Sequence, residues 1–145
     1  MLCVNNYPQE YIDQCRARIT AQVSAYQRLI AAARDQTAGD NPLLDPAIEA
    51  FDPHFFNNML LVLESQFMHR ARGKEGKDGN PLNEVRMLCN SILNNNSVMS
   101  ADKTIKYAPA NTVLKRALGD EIRLSEADFL DLSSAFFAEI ERKYL

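Results

Sequence analysis

The sequence holds little with which to do metal or covalent chemistry. Its three cysteines, Cys3, Cys15 and Cys89, are odd in number and form no CxxC. Cys15 and Cys89 fall on apolar helical positions, where a thiol serves as a small buried hydrophobe. The two histidines, His54 and His69, lie on one predicted helix, about 22 Å apart along its axis, and cannot share a metal ion. There is no GxGxxG, no GxxxxGK[ST], no HExxH and no GxSxG. Lys77-Asp78-Gly79-Asn80 invites a calcium-loop reading. Counting from Asp78, however, puts Asn83 where that loop needs Gly and Cys89 where it needs a bidentate Glu. The expectation is that no cofactor and no metal is bound.

Long apolar runs are missing too. The longest, from Met59 to Leu63, is far too short to span a bilayer. The opening MLCVNNYPQE has neither the basic nor the long apolar region of a signal peptide, so the Asn95-Asn96-Ser97 sequon carries little weight. A cytoplasmic protein with reduced thiols is expected. Basic charge is not in excess either. Sixteen Lys and Arg stand against 19 Asp and Glu, a net charge of −3, which gives no general attraction to nucleic acid or to an anionic membrane.

What is present is a helical pattern in 145 residues, 46% of them apolar and 24% charged. A chain of that size can bury about two-thirds of its surface in one core. Ile12, Cys15, Ile19, Val23, Tyr26, Ile30 and Ala33 recur at steps of 3 and 4, which predicts a helix over about 9–36, roughly 40 Å long. Pro8 opens it, and it ends before Thr37-Ala38-Gly39. Asp45-Pro46 and Asp52-Pro53 each read as a cap followed by proline. They predict a short helix to about Phe51 and a longer one over 53–72, closed by Gly73. In the longer helix Phe56, Leu60, Leu63 and Phe67 form the main stripe. Leu61 and Met68 lie on the opposite side, as befits a central helix.

Three glycines and four charges make 73–80 a loop. Asn80-Pro81 then opens a helix carrying Leu82, Val85, Cys89, Ile92 and Leu93. From Val98 the helical period is lost. Thr104–Tyr107 and Glu121–Leu124 alternate polar and apolar, which predicts a two-stranded antiparallel ribbon, with a helical turn near 110–114. Ser125 and Asp128 form a capping box for a last helix over 126–144. The predicted fold is mainly α: a single domain over 1–145, an irregular four-helix bundle with a small two-stranded β-ribbon.

Charge is unevenly spread. Residues 35–68 hold six acids and no Lys or Arg; 69–86 hold five bases against three acids. Within the second block His69, Arg70, Arg72, Asp78, Asn80, Asn83, Glu84 and Arg86 can converge across one short loop. Two readings follow. One is a pocket for an anionic small molecule, with ligand-binding residues His69, Arg70, Arg72, Asp78, Asn83 and Arg86 helped by the amides of a helix N-terminus. The other is a structural corner, locked by an ion pair from Glu84 or Asp78 back to Arg70 or Arg72. Asn58, Ser65 and His69 share one side of the predicted central helix, as a cavity lining, a solvent face or a buried network.

The stretches FFNNMLLVLESQFMHR, EGKDGNPLNEVRMLCNS, DKTIKYAPA and GDEIRLSEADFLDLSSAFFAEIERKYL resemble a family of small bacterial proteins with no established activity, substrate or cofactor. The resemblance runs from about Ala50 to Leu145, and more loosely over the first helix, and EGKDGNPLNEVR is its most distinctive part. It implies a bacterial, cytosolic origin and no particular chemistry. The leading functional expectation is a non-enzymatic helical interaction module. It binds itself, most simply as a two-fold dimer, or another protein. The length of the first helix and the two-sided apolar character of 53–72 motivate this. The alternative is a small-molecule binder or enzyme using the 69–86 cluster.

Overall fold

A computed structural model describes residues 3–37 and 41–145. The expected break at 38–40 lies outside the described residues. The chain forms α1 (Gln9–Thr37), α2 (Leu44–Ser65), a one-turn α3 (Arg72–Glu75), α4 (Pro81–Asn94) and α5 (Glu126–Tyr144), with a 3-10 turn at Pro109–Asn111. Helices α2, α4 and α5 pack on one another, and α1 lies across α2 and α5. The core between them is apolar, with Phe56, Leu60, Leu63, Leu88, Phe129, Leu132 and Phe136 fully buried. The mainly helical class is as expected.

α1 buries Ile12, Cys15, Ile19, Val23 and Tyr26, and then outruns the core. Ile30 and Ala33 are only half-buried, and Leu29 is 63% exposed. α2 corrects the expected pair of helices at 45–51 and 53–72. It is one helix running through Pro53, and it stops at Ser65. Proline removes one intrahelical N–H bond and disfavours the turn before it, but packing against α1 opposes both. Tyr26 stacks on Phe51 and Phe55 on either side of the proline, and Ile48 and Phe56 are buried. Asp52 caps nothing; its carboxylate accepts the Tyr26 O–H.

Past Ser65 the chain turns. Val4 bridges to Arg70 in parallel, Val4 N–H donating to His69 O and Ala71 N–H to Val4 O, both at 2.8 Å. This strap stops the helix short of the expected Arg72. At its far end Tyr7 N–H donates to the Tyr144 carbonyl at 2.7 Å, which ties the strap to α5.

The expected β-ribbon is not there. Among the described residues no sheet forms. Glu121 pairs with Val98 in an isolated antiparallel bridge, and Lys106 N–H donates to Lys77 O at 2.8 Å. The alternation at 104–107 and 121–124 instead marks single anchors in irregular chain: Ile105, Ile122 and Leu124 are buried while their neighbours face out. Buried polar side chains hold this 95–124 segment. Asn57 on α2 donates to Ile122 O at 2.9 Å and accepts from Leu124 N–H at 3.1 Å. Glu84 on α4 accepts from the N–H groups of Val113 and Leu114, both at 2.9 Å. The capping box at Ser125 and Asp128 forms as expected and starts α5.

Candidate functional site

The corner between α2 and α4 is built around a residue absent from the expected set. Glu75 ends the single turn of α3 and is completely buried. Its carboxylate faces three of the expected residues. Arg86 reaches it with two hydrogen bonds, at 2.6 and 3.1 Å. Asn83 Nδ2 donates to it at 2.8 Å. Arg70 Nε lies 2.9 Å from Oε1, misaligned for a hydrogen bond, so that contact is an ion pair alone. Arg70 then turns its other face to Glu64, both carboxylate oxygens lying 3.1 Å from Nη1. It also donates to the Phe67 and Leu82 carbonyls and lies over the Phe136 ring.

Two guanidiniums and two carboxylates therefore balance in the interior. Burial alone would push the Glu75 carboxyl upward; the bonds from Arg86, the charge of Arg70 and the Asn83 amide outweigh it and hold Glu75 below the usual carboxylate range. Glu64, buried beside the same Arg70, ends with its carboxyl raised because desolvation wins there. Glu84 is raised for the same reason, against its two amide donors.

The loop between α3 and α4 is closed by its own side chains. Asn80 caps α4, its Oδ1 accepting from the N–H groups of Leu82 and Asn83. Its Nδ2 donates to Glu75 O and to Asp78. Asn83 Oδ1 accepts from Gly79 N–H at 3.0 Å. The amides expected to greet an anion at this helix start are thus taken up by the chain itself. Lys143 of α5 donates to Glu75 O at 2.7 Å and seals the remaining side.

Of the six expected ligand-binding residues, Arg70, Asn83 and Arg86 come together on Glu75. Arg72 stays exposed, 3.9 Å from Glu75 Oε1. Asp78 is exposed, its contact being Asn80. His69 is exposed and is no partner of Arg70, Glu75 or Arg86; it borders a separate hollow with Val4, Tyr7, Tyr11, Gln66 and Met68. The expected lock from Glu84 or Asp78 to Arg70 or Arg72 is replaced. Glu84 points the other way, to 113–114, because its place in the first turn of α4 faces the core. Asn58, Ser65 and His69 are all exposed, so that strip is a solvent face.

The two carboxylates of the network lie outside the expected set, and only Glu64 has a signal in the sequence. Glu64 directly follows the apolar run from Met59 to Leu63 on the same helix, where an unpaired charge is too costly to bury. Glu75 stands between Arg72 and Arg86 in a glycine-rich stretch that reads as solvated loop. Only the α3 turn, which needs tertiary contacts to form, carries it inside. No described group of three or more His, Cys, Asp and Glu is placed to hold a metal ion. No described helix is long and apolar enough to cross a membrane. Compared with protein-family models, curated proteins and solved structures, the chain matches none.

Proposed function

We propose that the chain is a non-enzymatic helical interaction module that pairs with a second copy of itself through the free end of the α1–α2 hairpin. One observation carries the reading. The last turns of α1 and the first turns of α2 extend past the core, and a stacked aromatic ladder rooted on the buried Tyr26 opens outward through the half-buried Phe55 to the exposed Phe51. Tyr26, Phe51 and Phe55 stack with centroids 4.9–6.4 Å apart; Phe51 is 45% exposed and Leu29 63%. With Gln22 and Ala25 they line a shallow apolar hollow of about 300 Å³. Isolated exposed leucines need no explanation, but a contiguous aromatic and aliphatic face at a projecting end does.

A second copy fits because the overhang is bipolar. Its α1 part carries Arg28, Arg34 and Asp35, its α2 part Asp45, Glu49 and Asp52, and Arg34 lies 3.8 Å from Asp45 across the hairpin. Two-fold antiparallel pairing of two overhangs sets the exposed Arg28 of one near the acidic Asp45–Glu49 turn of the other. The 69–86 cluster supports the ligand reading less well, because Glu64 and Glu75 already neutralise the buried Arg70 and the half-buried Arg86. In this reading the protein acts in the bacterial cytoplasm, within the family that its 75–86 stretch resembles.

The test is light scattering coupled to size exclusion at tens of micromolar. The wild type is expected as a dimer, and Leu29→Asp with Phe51→Asp as a folded monomer. A wild-type monomer at that concentration refutes the proposal, as does a double variant that keeps both its helicity and the dimer mass.

A further inference from the structure

We infer that the hollow beside His69 is a binding site for a neutral, planar, amide-bearing small molecule. It lies at the opposite end of α1 from the overhang, about 27 Å from Leu29 at 1.5 Å per residue, and is independent of the pairing proposed above. The hollow has a volume of about 380 Å³ and is lined by Val4, Asn6, Tyr7, Pro8, Tyr11, Gln66, Met68 and His69. That volume suits a single aromatic ring with a small polar group.

Its chemistry sets the class of occupant. None of the lining residues is Asp, Glu, Lys or Arg; the exposed His69 at the edge is the one basic side chain among them, so the aromatic wall itself offers no charge to a ligand. Tyr7 and Tyr11 stack with centroids 5.5 Å apart, and Phe67 meets both edge-on behind them, giving a flat and rigid aromatic wall. Tyr11 is held in place by its O–H donating to the Gln66 carbonyl at 2.5 Å.

One polar group of the lining is buried and unmet, and a second makes no hydrogen bond among the described residues. Both side-chain atoms of Gln66, Nε2 and Oε1, are sealed from solvent and have no hydrogen-bond partner. The Tyr7 hydroxyl makes no hydrogen bond to another described residue. Orphaned buried amides are rare, because each unmade bond keeps its full desolvation penalty. A carboxamide or lactam edge presents one donor beside one acceptor, the complement of the two atoms Gln66 leaves unpaired. Because that amide is covered in this structure, engagement requires the side chain to turn toward the hollow, and the two unmade bonds favour the turn once a partner is there.

The probe is benzamide at millimolar concentration, with toluene, benzoate and N,N-dimethylbenzamide as comparison arms. The readouts are the NMR signals of the Met68 methyl and the His69 ring, together with melting temperature. Benzamide is expected to shift both signals saturably, the three comparison compounds about tenfold more weakly or not at all. Gln66→Met keeps the length of the side chain and removes the amide. It is expected to abolish the preference for benzamide, to raise the melting temperature of the free protein, and to leave its mass in solution unchanged. Equal shifts with toluene, no shift with any compound, or undiminished benzamide preference in Gln66→Met each overturn the inference. So does a fall in melting temperature of the free variant, since a paired amide would then have been lost.

Discussion

Replacing Glu75 by Ala takes away the one carboxylate shared by Arg70, Arg86 and Asn83. Removing one partner of a buried ion pair costs about 3–5 kcal/mol, because the other charge is left without compensation. Here the lower end applies. Arg70 keeps both contacts to Glu64 and its two carbonyl acceptors, while Arg86, with its side chain 21% exposed, can recover water. The loss is then about 3 kcal/mol. For a domain of this size that is a fall in Tm of roughly 6–12 °C. Differential scanning calorimetry at pH 7 measures it.

Arg72→Ala is the built-in control. Its guanidinium sits 3.9 Å from the same carboxylate but is exposed, so the change should stay within about 0.5 kcal/mol. The two substitutions together separate a buried network from a decorated surface. A Glu75→Ala protein melting within about 2 °C of wild type would refute the account of the corner.

The same carboxylate predicts a pH dependence with a definite sign. Its folded-state value is depressed, so its contribution is complete above the unfolded value of about 4.3 and is lost as pH falls through the folded value. Glu75→Gln should therefore flatten the fall in Tm below about pH 4.3, while lying below wild type at pH 7. A variant that loses stability more steeply than wild type in acid would contradict the assignment.

The remaining predictions concern the backbone and the pinned segment. Gly79 has φ +85°, and a Cβ built on it would sit 2.6 Å from the Lys106 carbonyl oxygen, so Gly79→Ala should cost about 2–4 kcal/mol. Gly73, with nothing within 4 Å of its Cβ position, should tolerate Ala with a change near zero or a gain of up to about 1 kcal/mol; equal effects at the two glycines in urea unfolding would sink the argument. Asn57→Ala removes both bonds that hold Ile122 and Leu124 and should cost about 2–3 kcal/mol, with faster hydrogen exchange at the 122 and 124 amides; unchanged exchange there would show that the segment is held some other way.

How much of this was legible depended on whether the signal was local. The α1 stripe repeats turn by turn, the Asn80-Pro81 start of α4 and the Ser125–Asp128 box are each written within one helical turn, and all three elements appear where the spacing puts them. Asp52-Pro53 carries the same local signal and fails, because Tyr26 from another helix takes the Asp52 carboxylate and stacks across the junction. The 104–107 and 121–124 alternation fails for a related reason. A period of two states that every second side chain is buried, which a strand satisfies and so does an irregular segment nailed down by Asn57 and Glu84. At the corner, the spacing of Arg70, Asn83 and Arg86 across a short loop is enough to bring them together, as they are found on Glu75. Spacing does not place Glu75 there, since its burial depends on a four-residue turn with no propensity signal of its own.

The stretch EGKDGNPLNEVR, 75–86, has a structural role at almost every position. Glu75 compensates two arginines, and Gly79 lets the Lys106 backbone approach. Asn80 caps α4, Asn83 ties loop to carboxylate, Glu84 holds 113–114, and Arg86 closes on Glu75. Nearly every polar group in it is spent inside the protein. A segment with that property specifies a corner rather than a ligand or a partner. Chemistry directed outward has to come from groups the fold leaves unmet. In this structure two such places stand out, at opposite ends of α1: the Leu29–Phe51 overhang, where apolar surface lacks cover, and the Tyr7–Gln66 hollow, where polar atoms lack partners. The hydrophobic effect acts on the first and the hydrogen-bond deficit on the second, so a helix long enough to outrun its core can carry two unrelated recognition events without coupling them.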